Sequence, residues 1–357
     1  MMRTITMRTM TIRAVALAAT LALLCGALVA PSALSAEDGK TVNIYSARKE
    51  ALILPILERF RDETGIEFHL VTGKADALLK RLELEGEASP ADVFVTVDAG
   101  RLHRAKEAGV LQQIASETVD AAVPAHLRDT DGYWAALSKR ARTIMYARDR
   151  VDASALSTYE GLTDEAWQGR ICIRSSGNIY NQSLVASMIE ANGAEQTQAW
   201  AEGMVANFAR DPAGGDTDQL RAAAAGECDL AVANTYYFGR LAASDKEEDR
   251  AVAAALSVFW PNQGEGARGT HVNVSGVGIT AHAQNRDSAL RLIEFLVSPE
   301  AQTWYAEVNH EYPVVPGVPV SETLASFGAF DEDSLNLTVL GVNNRQAVEL
   351  MDRAGWR

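Results

Sequence analysis

Residues 41–60, with the sequence TVNIYSARKEALILPILERF, indicate the fold class because a strand pattern passes directly into a helix pattern. Thr41–Tyr45 predicts a short buried strand. Apolar residues then recur at helical spacing, namely Ile53, Ile56, Leu57 and Phe60. Gly65 predicts the end of that helix. The unit suggests an α/β fold if it repeats along the chain.

The strand–helix pattern does repeat. Further strands are predicted at Ile66–Val71, Asp92–Val97, Arg170–Arg174, Cys228–Ala233, Leu256–Trp260 and Val272–Thr280. Further helices are predicted at Asp76–Leu84, Gly100–Ala108, Asn178–Ala191, Glu195–Ala209, Asp216–Ala225 and Ser288–Val297. Near residue 135 the pattern changes, because Tyr133–Ser138 and Arg142–Ala147 predict two extended segments without a helix between them. We therefore expect two α/β lobes, with mixed, mostly parallel sheets, joined by crossing strands.

Charge and composition exclude several classes of protein. The 357 residues include 33 Lys and Arg against 47 Asp and Glu, which gives a formal net charge of −14. Nucleic-acid binders and basic membrane-surface proteins hold phosphate through clustered Lys and Arg, so neither class fits. A hydrophobic fraction of 47% is typical of a globular protein.

The N-terminal segment predicts a secretory signal peptide over residues 1–36. It combines three arginines and no acid in residues 1–13, an apolar run from Ala14 to Ala30, and small residues up to Ala36. The alternative is an uncleaved anchor helix, although the apolar run is near the lower limit for a span. The mature chain retains Cys172 and Cys228, and an even number of cysteines in an exported protein favours one disulfide over two free thiols.

Two polar segments that follow predicted strands carry tyrosines. Tyr180 lies in Ser175–Asn181, and Tyr236 and Tyr237 lie in Asn234–Gly239. Both segments open predicted helices at the carboxyl ends of strands, where ligands of open α/β sheets bind. A disulfide between the cysteines of the two strands would bring these tyrosines to one site. Packing is the alternative role for a Tyr-Tyr pair.

A cluster of phenol groups suits a hard, highly charged cation. Three phenolates neutralise Fe³⁺, and a trivalent metal can remove a phenol proton at neutral pH. Softer metals favour Cys and His ligands, and the six histidines show none of the spacings typical of a zinc enzyme. The residues therefore favour Fe³⁺ as the ligand.

Motifs along most of the chain carry a resemblance to a known family. They are Val42–Arg48, Thr72–Asp76, Ser89–Val93, Arg174–Ser183, Asn234–Tyr237, Asn273–Gly276, Phe295–Glu300 and Tyr312–Pro316. The sequence resembles the periplasmic ferric-ion-binding proteins, which are substrate-binding components of iron ABC importers with the class II periplasmic binding protein fold. The resemblance implies a first lobe of residues 37–135 plus about 263–312, and a second lobe of 136–262 plus about 313–357.

The resemblance also implies a ligand set. Tyr180, Tyr236 and Tyr237 match the iron-ligating tyrosines of the family. Lys49 and Glu50 stand where some branches have a His or a His-Tyr pair, and Val97 stands where some have Glu. The chain is therefore similar to the branch that completes the site with carbonate or bicarbonate.

A synergistic anion needs donors, and the basic candidates are Arg48 and Arg140, with Arg142 less favoured. A solvated ion pair is the alternative role for each. Ser176, Gly177 and Asn234 could add further donors, and Tyr45 is expected to line the cleft or the core.

The function expected from these features is capture of Fe³⁺ in the periplasm by a monomer. An inner-membrane ABC permease with its ATPase would receive the ion, and no catalytic step is involved. The main alternative is the same fold binding a small organic solute such as a polyamine, thiamine or a phosphonate. An exported enzyme is the other alternative, in which Asp92 and Asp98 would act as paired carboxylates. A capping or surface role is the alternative for these two residues.

Overall fold

The computed structural model describes residues 41–357, and the predicted signal peptide lies outside them. Within this range the chain forms nine strands. In chain order these are β1 (Thr41–Ser46), β2 (Glu67–Thr72), β3 (Val93–Val97), β4 (Leu111–Gln112), β5 (Ala135–Ala147), β6 (Ile171–Cys172), β7 (Leu230–Asn234), β8 (Leu256–Phe259) and β9 (Val272–Thr280).

Fourteen α-helices accompany the strands in residues 41–357. They are α1 (Leu54–Thr64), α2 (Ala75–Glu85), α3 (Ala99–Glu107), α4 (Glu117–Ala122), α5 (Ile179–Asn192), α6 (Ala194–Ala206), α7 (Asp216–Ala225), α8 (Thr235–Ala242), α9 (Glu247–Ala255), α10 (Arg286–Leu296), α11 (Pro299–Val308), α12 (Glu322–Ala325), α13 (Thr338–Val342) and α14 (Asn344–Arg353). Local chemistry explains their ends. For example, α1 has a proline in its first turn and ends at Gly65, whose φ of 70° is left-handed.

The strands form one mixed sheet in the order β2-β1-β3-β9-β5-β7-β6, with β4 beside β9 and β8 beside β5. Pairing is parallel at the two ends of this sheet, between β1 and both β2 and β3, and between β6 and β7. The crossing strands β5 and β9 are antiparallel to each other and to their other neighbours. The predicted mixed sheet with crossing strands is confirmed, but the parallel arrangement is limited to the ends.

The two extended segments expected around residue 140 are in fact one strand. β5 continues through Lys139 and Arg140 without interruption. These two charged residues break the apolar pattern, which is why the sequence predicts a gap. The strand pairs with β9 along Ala135–Ala141 and with β7 along Arg142–Tyr146, so it connects the two ends of the sheet.

Two further differences concern the length of a strand and the number of helices. The strand expected at Arg170–Arg174 is reduced to the two residues of β6, because the chain then turns into the loop before α5. After α10 the chain adds four helices that the sequence does not predict. Of these, α13 contacts both α3 and α5, and thus bridges helices that follow opposite ends of the sheet.

The lobe boundaries given above stay a prediction, since the described residues 41–357 all belong to one compact unit by their contacts. The main apolar core contains the central residues of β1, β3 and β9 and the inner faces of α1, α10 and α14. None of the helices in residues 41–357 is long and apolar enough to cross a membrane.

Candidate metal centre

The three tyrosines are placed by two adjacent strand-to-helix turns. β6 and β7 are parallel neighbours, with Cys172 opposite Ala231, so the loops that follow them leave the sheet side by side. The first loop enters α5, where the Asn178 side chain accepts a hydrogen bond from the Tyr180 amide. The second strand runs directly into α8, which carries Tyr236 and Tyr237.

A disulfide joins the last residue of β6 to the segment just before β7. Cys172 and Cys228 are bonded, with 5.9 Å between their Cα atoms, and both are buried. The β6–β7 ladder itself covers only two residue pairs. The covalent bond is therefore a large part of what keeps the two tyrosine-bearing turns adjacent.

The phenol groups converge. The Tyr236 hydroxyl lies 3.2 Å from the Tyr180 hydroxyl, to which it donates a hydrogen bond. The rings of Tyr236 and Tyr237 lie side by side, with 4.3 Å between their centroids. The Tyr180 and Tyr236 hydroxyls, 56 residues apart in sequence, are thus in contact, and all three tyrosines line one cavity. The sequence predicts this meeting only if the cysteines are bonded.

Burial raises the pKa of Tyr236 and of Tyr237, which favours their protonated forms. Desolvation raises the pKa of Tyr237 to about 12, and the neighbouring Tyr180 adds to the effect. Desolvation also raises the pKa of Tyr236 well above the ordinary value, with further contributions from Tyr180 and Tyr237, whereas Arg140 acts in the opposite direction. A cation that binds here must therefore displace protons.

Arginines surround the phenol rings. Arg140 and Arg174 lie over the Tyr180 ring at 5.4 and 5.5 Å from its centroid, and Arg240 lies 4.8 Å from that of Tyr236. Arg140 is buried, and within residues 41–357 its two terminal nitrogens have no hydrogen-bond partner. Its nearest carboxylate oxygen, on Asp98, is 3.9 Å away. Arg140 thus has unused donors for a planar anion beside Tyr180.

Arg142, the less favoured candidate, is fully engaged elsewhere. Its guanidinium donates to Asn181, to Asn234 and to the buried carboxylate of Asp216. Asp216 also accepts the Asn234 amide, at 3.0 Å. This network fixes the end of β7 immediately before the Tyr236–Tyr237 pair.

The other donor candidates lie near the turns. Ser176 and Gly177 occupy the loop before α5, where the Ser176 carbonyl accepts a hydrogen bond from Gln182. The side-chain nitrogen of Asn234 is buried and finds no hydrogen-bond partner in the described chain. Tyr45 is buried, and its hydroxyl donates to Glu85 rather than pointing to the three tyrosines.

Arg48 forms a buried ion pair that the sequence does not predict. It donates to both carboxylate oxygens of Glu311, at 3.1 and 3.2 Å, and to the Ser275 hydroxyl at 2.6 Å. Glu311 also accepts a hydrogen bond from Ser138. The 263 residues that separate the two charges explain why sequence reasoning missed this pair.

Arg48, Glu311 and the tyrosines share one cavity of about 180 Å³. We define its tyrosine wall as Tyr180, Tyr236, Tyr237 and Arg240, and its β1/β3 wall as Ala47, Lys49, Leu52 and Val97. Lys49 therefore faces the cavity, whereas Glu50 is exposed at the start of the next turn. The β1/β3 wall contributes one cation and apolar surface, and the phenol oxygens come from the tyrosine wall.

Other metal chemistry finds no support in the described part of the chain. No group of three or more His, Cys, Asp or Glu residues in 41–357 is arranged to hold a metal ion. The clustered oxygen donors of this cavity are phenols, which fits a hard, trivalent cation better than zinc. The fold and this cavity describe a protein that captures a small solute between two walls.

Comparison with known proteins agrees with that description. A family model described as bacterial extracellular solute-binding protein matches residues 56–331. The chain belongs to this family, in the branch of the periplasmic ferric-ion-binding proteins, and has their class II fold.

Individual relatives identify the branch. Iron uptake protein A1 of Synechocystis is 50% identical over 328 residues, which cover 92% of this chain and 91% of that protein. A solved structure of Trichodesmium FutA (IdiA) in complex with iron and citrate has a TM-score of 0.86 and 50% identity, and covers 89% of this chain and 100% of its own. The ferric binding protein of Campylobacter jejuni has a TM-score of 0.83 and 40% identity, with coverages of 88% and 100%. The expected family resemblance is thereby confirmed.

Proposed function

We propose that this chain is a periplasmic protein that binds Fe³⁺ in the cavity between the tyrosine wall and the β1/β3 wall, and delivers it to an inner-membrane ABC permease with its ATPase. The observation that carries the proposal is the convergence of the Tyr180, Tyr236 and Tyr237 phenols on one small cavity. The iron-related names of relatives up to 50% identical support the choice of metal.

Three phenolates match the charge of Fe³⁺, so the loaded centre is close to neutral. Neutrality matters because a net charge in a partly buried site carries a large desolvation cost. The raised pKa values of Tyr236 and Tyr237 mean that the phenols remain neutral without the metal, which avoids a cluster of unpaired anions. Ferric ion therefore exchanges for protons, and loading should release them.

A synergistic carbonate or bicarbonate would complete the coordination on the side that lacks phenols. Arg140 is the best-placed donor, because its buried terminal nitrogens find no partner in residues 41–357 and it lies against the Tyr180 ring. Carbonate is planar and can accept two parallel hydrogen bonds from a guanidinium. The citrate in the Trichodesmium relative supports anion participation in that protein, without selecting carbonate for this one.

Titration with ferric ion tests the proposal. The mature protein is titrated with ferric nitrilotriacetate in buffers with and without bicarbonate, while the visible spectrum and the melting temperature are recorded. We expect a phenolate-to-iron charge-transfer band and stabilisation of about 2.7 kcal/mol at a hundredfold excess over the dissociation constant. A colourless protein with an unchanged melting temperature would sink the iron assignment.

The competing function is the same fold with a small organic solute. Such pockets rely on aromatic stacking or on carboxylates, so loss of one phenol oxygen would barely weaken the binding. Calorimetry with spermidine, thiamine and aminoethylphosphonate addresses this alternative directly. Saturable binding of any of these, in a protein that ignores iron, would replace the proposal.

A further inference from the structure

The two arginines considered as anion donors, Arg48 and Arg140, differ in what they already bind. Arg140 has terminal nitrogens without a hydrogen-bond partner in the described residues, whereas Arg48 holds the Glu311 carboxylate through both of its terminal nitrogens. A bidentate arginine–carboxylate pair uses the same edge of the guanidinium that a carbonate would use. The edge of Arg48 that would bind an external anion is therefore already bonded to Glu311.

Glu311 is fixed in this position by several contacts. Its oxygens accept hydrogen bonds from Arg48 and from the Ser138 hydroxyl, and the residue is only 3% exposed. Burial acts to raise the pKa of its carboxyl, but Arg48 and Ser138 outweigh burial and hold that pKa below the usual value. Glu311 is consequently an anion at neutral pH, and it lines the same cavity as the three tyrosines.

We propose that Glu311 is a built-in anion at Arg48, which competes with the external synergistic anion for that guanidinium and so determines how strongly iron binding depends on the external anion. This inference rests on the proposed function. It adds a specificity-determining residue, Glu311, to the tyrosines and arginines already discussed.

Charge balance gives the direction of the effect. Fe³⁺ with three phenolates is neutral, and Arg48 with Glu311 is also neutral. If Glu311 is made uncharged, Arg48 contributes an uncompensated positive charge beside the cavity. That charge weakens iron binding when no external anion is present and strengthens the binding of an anion.

The test is the substitution Glu311→Gln, which keeps the shape of the side chain and one acceptor oxygen for Arg48. Iron affinity is measured by competition with nitrilotriacetate, in buffer depleted of carbonate and again with bicarbonate added. We expect the ratio of the two affinities to rise at least about tenfold over the unsubstituted protein. The spectrum of the loaded variant should also respond more strongly to added bicarbonate.

Glu332→Gln is the matched control. Glu332 is a largely buried glutamate that forms ion pairs with Lys139 and with His126. Lys139 lies on the same strand as Arg140. Glu332 itself does not line the cavity. Its substitution removes a comparable ion pair and should leave the affinity ratio unchanged. A purely structural role for Glu311 would lower both affinities by the same factor, and that equal loss would overturn the inference.

A second variant covers the case in which Glu311→Gln does not fold. Ser138→Ala removes one hydrogen bond that holds the Glu311 carboxylate at Arg48, so an external anion displaces it more easily. The ratio should then rise in the same direction, by a smaller factor of about three. An unchanged ratio in Ser138→Ala, with normal iron binding, would also count against the inference. Failure of the proposed function looks different, because the unsubstituted protein itself would then bind no iron.

Discussion

The two walls of the cavity differ both in chemistry and in how the sheet supports them. The tyrosine wall supplies three phenol oxygens, yet its two supporting strands share a ladder of only two residue pairs together with the Cys172–Cys228 disulfide. The β1/β3 wall supplies Lys49 and apolar side chains, and β1 pairs with β2 over six residues and with β3 over three.

This difference teaches that the phenol groups and the longer parallel ladder lie on different sides of the cavity. All three phenol oxygens belong to one wall, so that wall can hold a cation without help from the other. Under the proposed function, the β1/β3 wall would cover the bound cation from the other side. The variants and conditions below are ordered from the largest expected effect to the smallest.

Removal of the disulfide should have the largest effect. The bond closes a loop with a sequence separation of 56, for which chain entropy predicts a loss of about 4 kcal/mol in the free energy of unfolding. Urea denaturation of the double variant Cys172→Ala/Cys228→Ala measures this loss. A change below about 1 kcal/mol would show that packing of α5, rather than the bond, supports the tyrosine wall.

Substitution of a wall tyrosine comes next. Tyr237→Phe removes one phenolate and keeps the ring, so we expect iron affinity to fall at least about a hundredfold, with loss or shift of the charge-transfer band. Tyr146→Phe is the control, because Tyr146 is a half-buried tyrosine in a separate cavity of about 370 Å³ on β5. Equal effects of the two substitutions would contradict a ligand role for Tyr237.

A change of pH should act through the same phenols. The pKa of Tyr237 is about 12 and that of Tyr236 is also raised, so both bind protons at neutral pH and must lose them to bind the metal. At pH values below the pKa of these phenols, each proton that iron displaces lowers the iron affinity about tenfold for every unit by which the pH falls. The measurement is proton release in weakly buffered solution on addition of ferric nitrilotriacetate, compared with the chelate alone. Release of fewer than about two protons per iron would argue against phenolate ligation.

Lys49→Ala should have the smallest effect. Lys49 is exposed and faces the cavity from the β1/β3 wall, where solvent screens its charge. We expect the iron affinity to change by less than about threefold. A much larger loss, measured by the same chelator competition, would give the β1/β3 wall a direct part in metal binding.

Most of the fold follows from local pattern. The strand–helix repeats predict β1, β3, β7 and β9 to within a few residues, and α7 and β9 occur with the predicted bounds. Sequence reasoning failed where tertiary pairing overrides local polarity. Lys139 and Arg140 look like a break in a strand, yet both belong to β5, because β9 pairs with their backbone. The helices after Val297 were missed because their apolar residues are short runs that pack on distant elements.

The residues of the candidate site also fall into those that local sequence predicts and those that depend on distant partners. The tyrosines follow from motifs at the ends of strands, since both motifs lie in short, local segments. Such reasoning cannot find Glu311 or Asp216, because each belongs to the site only through an ion pair with an arginine far away in sequence. Glu311 pairs with Arg48, and Asp216 pairs with Arg142. A buried charged residue can be recognised only when its oppositely charged partner is known. A single sequence does not show which distant residue that partner is.

The crossing strand β9 has a consequence for the order in which the protein can be assembled. Val93 pairs with Ile279, and the segment from Ala135 to Ala141 pairs with Val272–Val277. A growing chain that has not yet reached Thr280 therefore lacks the strand that lies between β3 and β5. Closure of such long loops slows folding. The central sheet therefore cannot form until synthesis has passed Thr280, at residue 280 of 357.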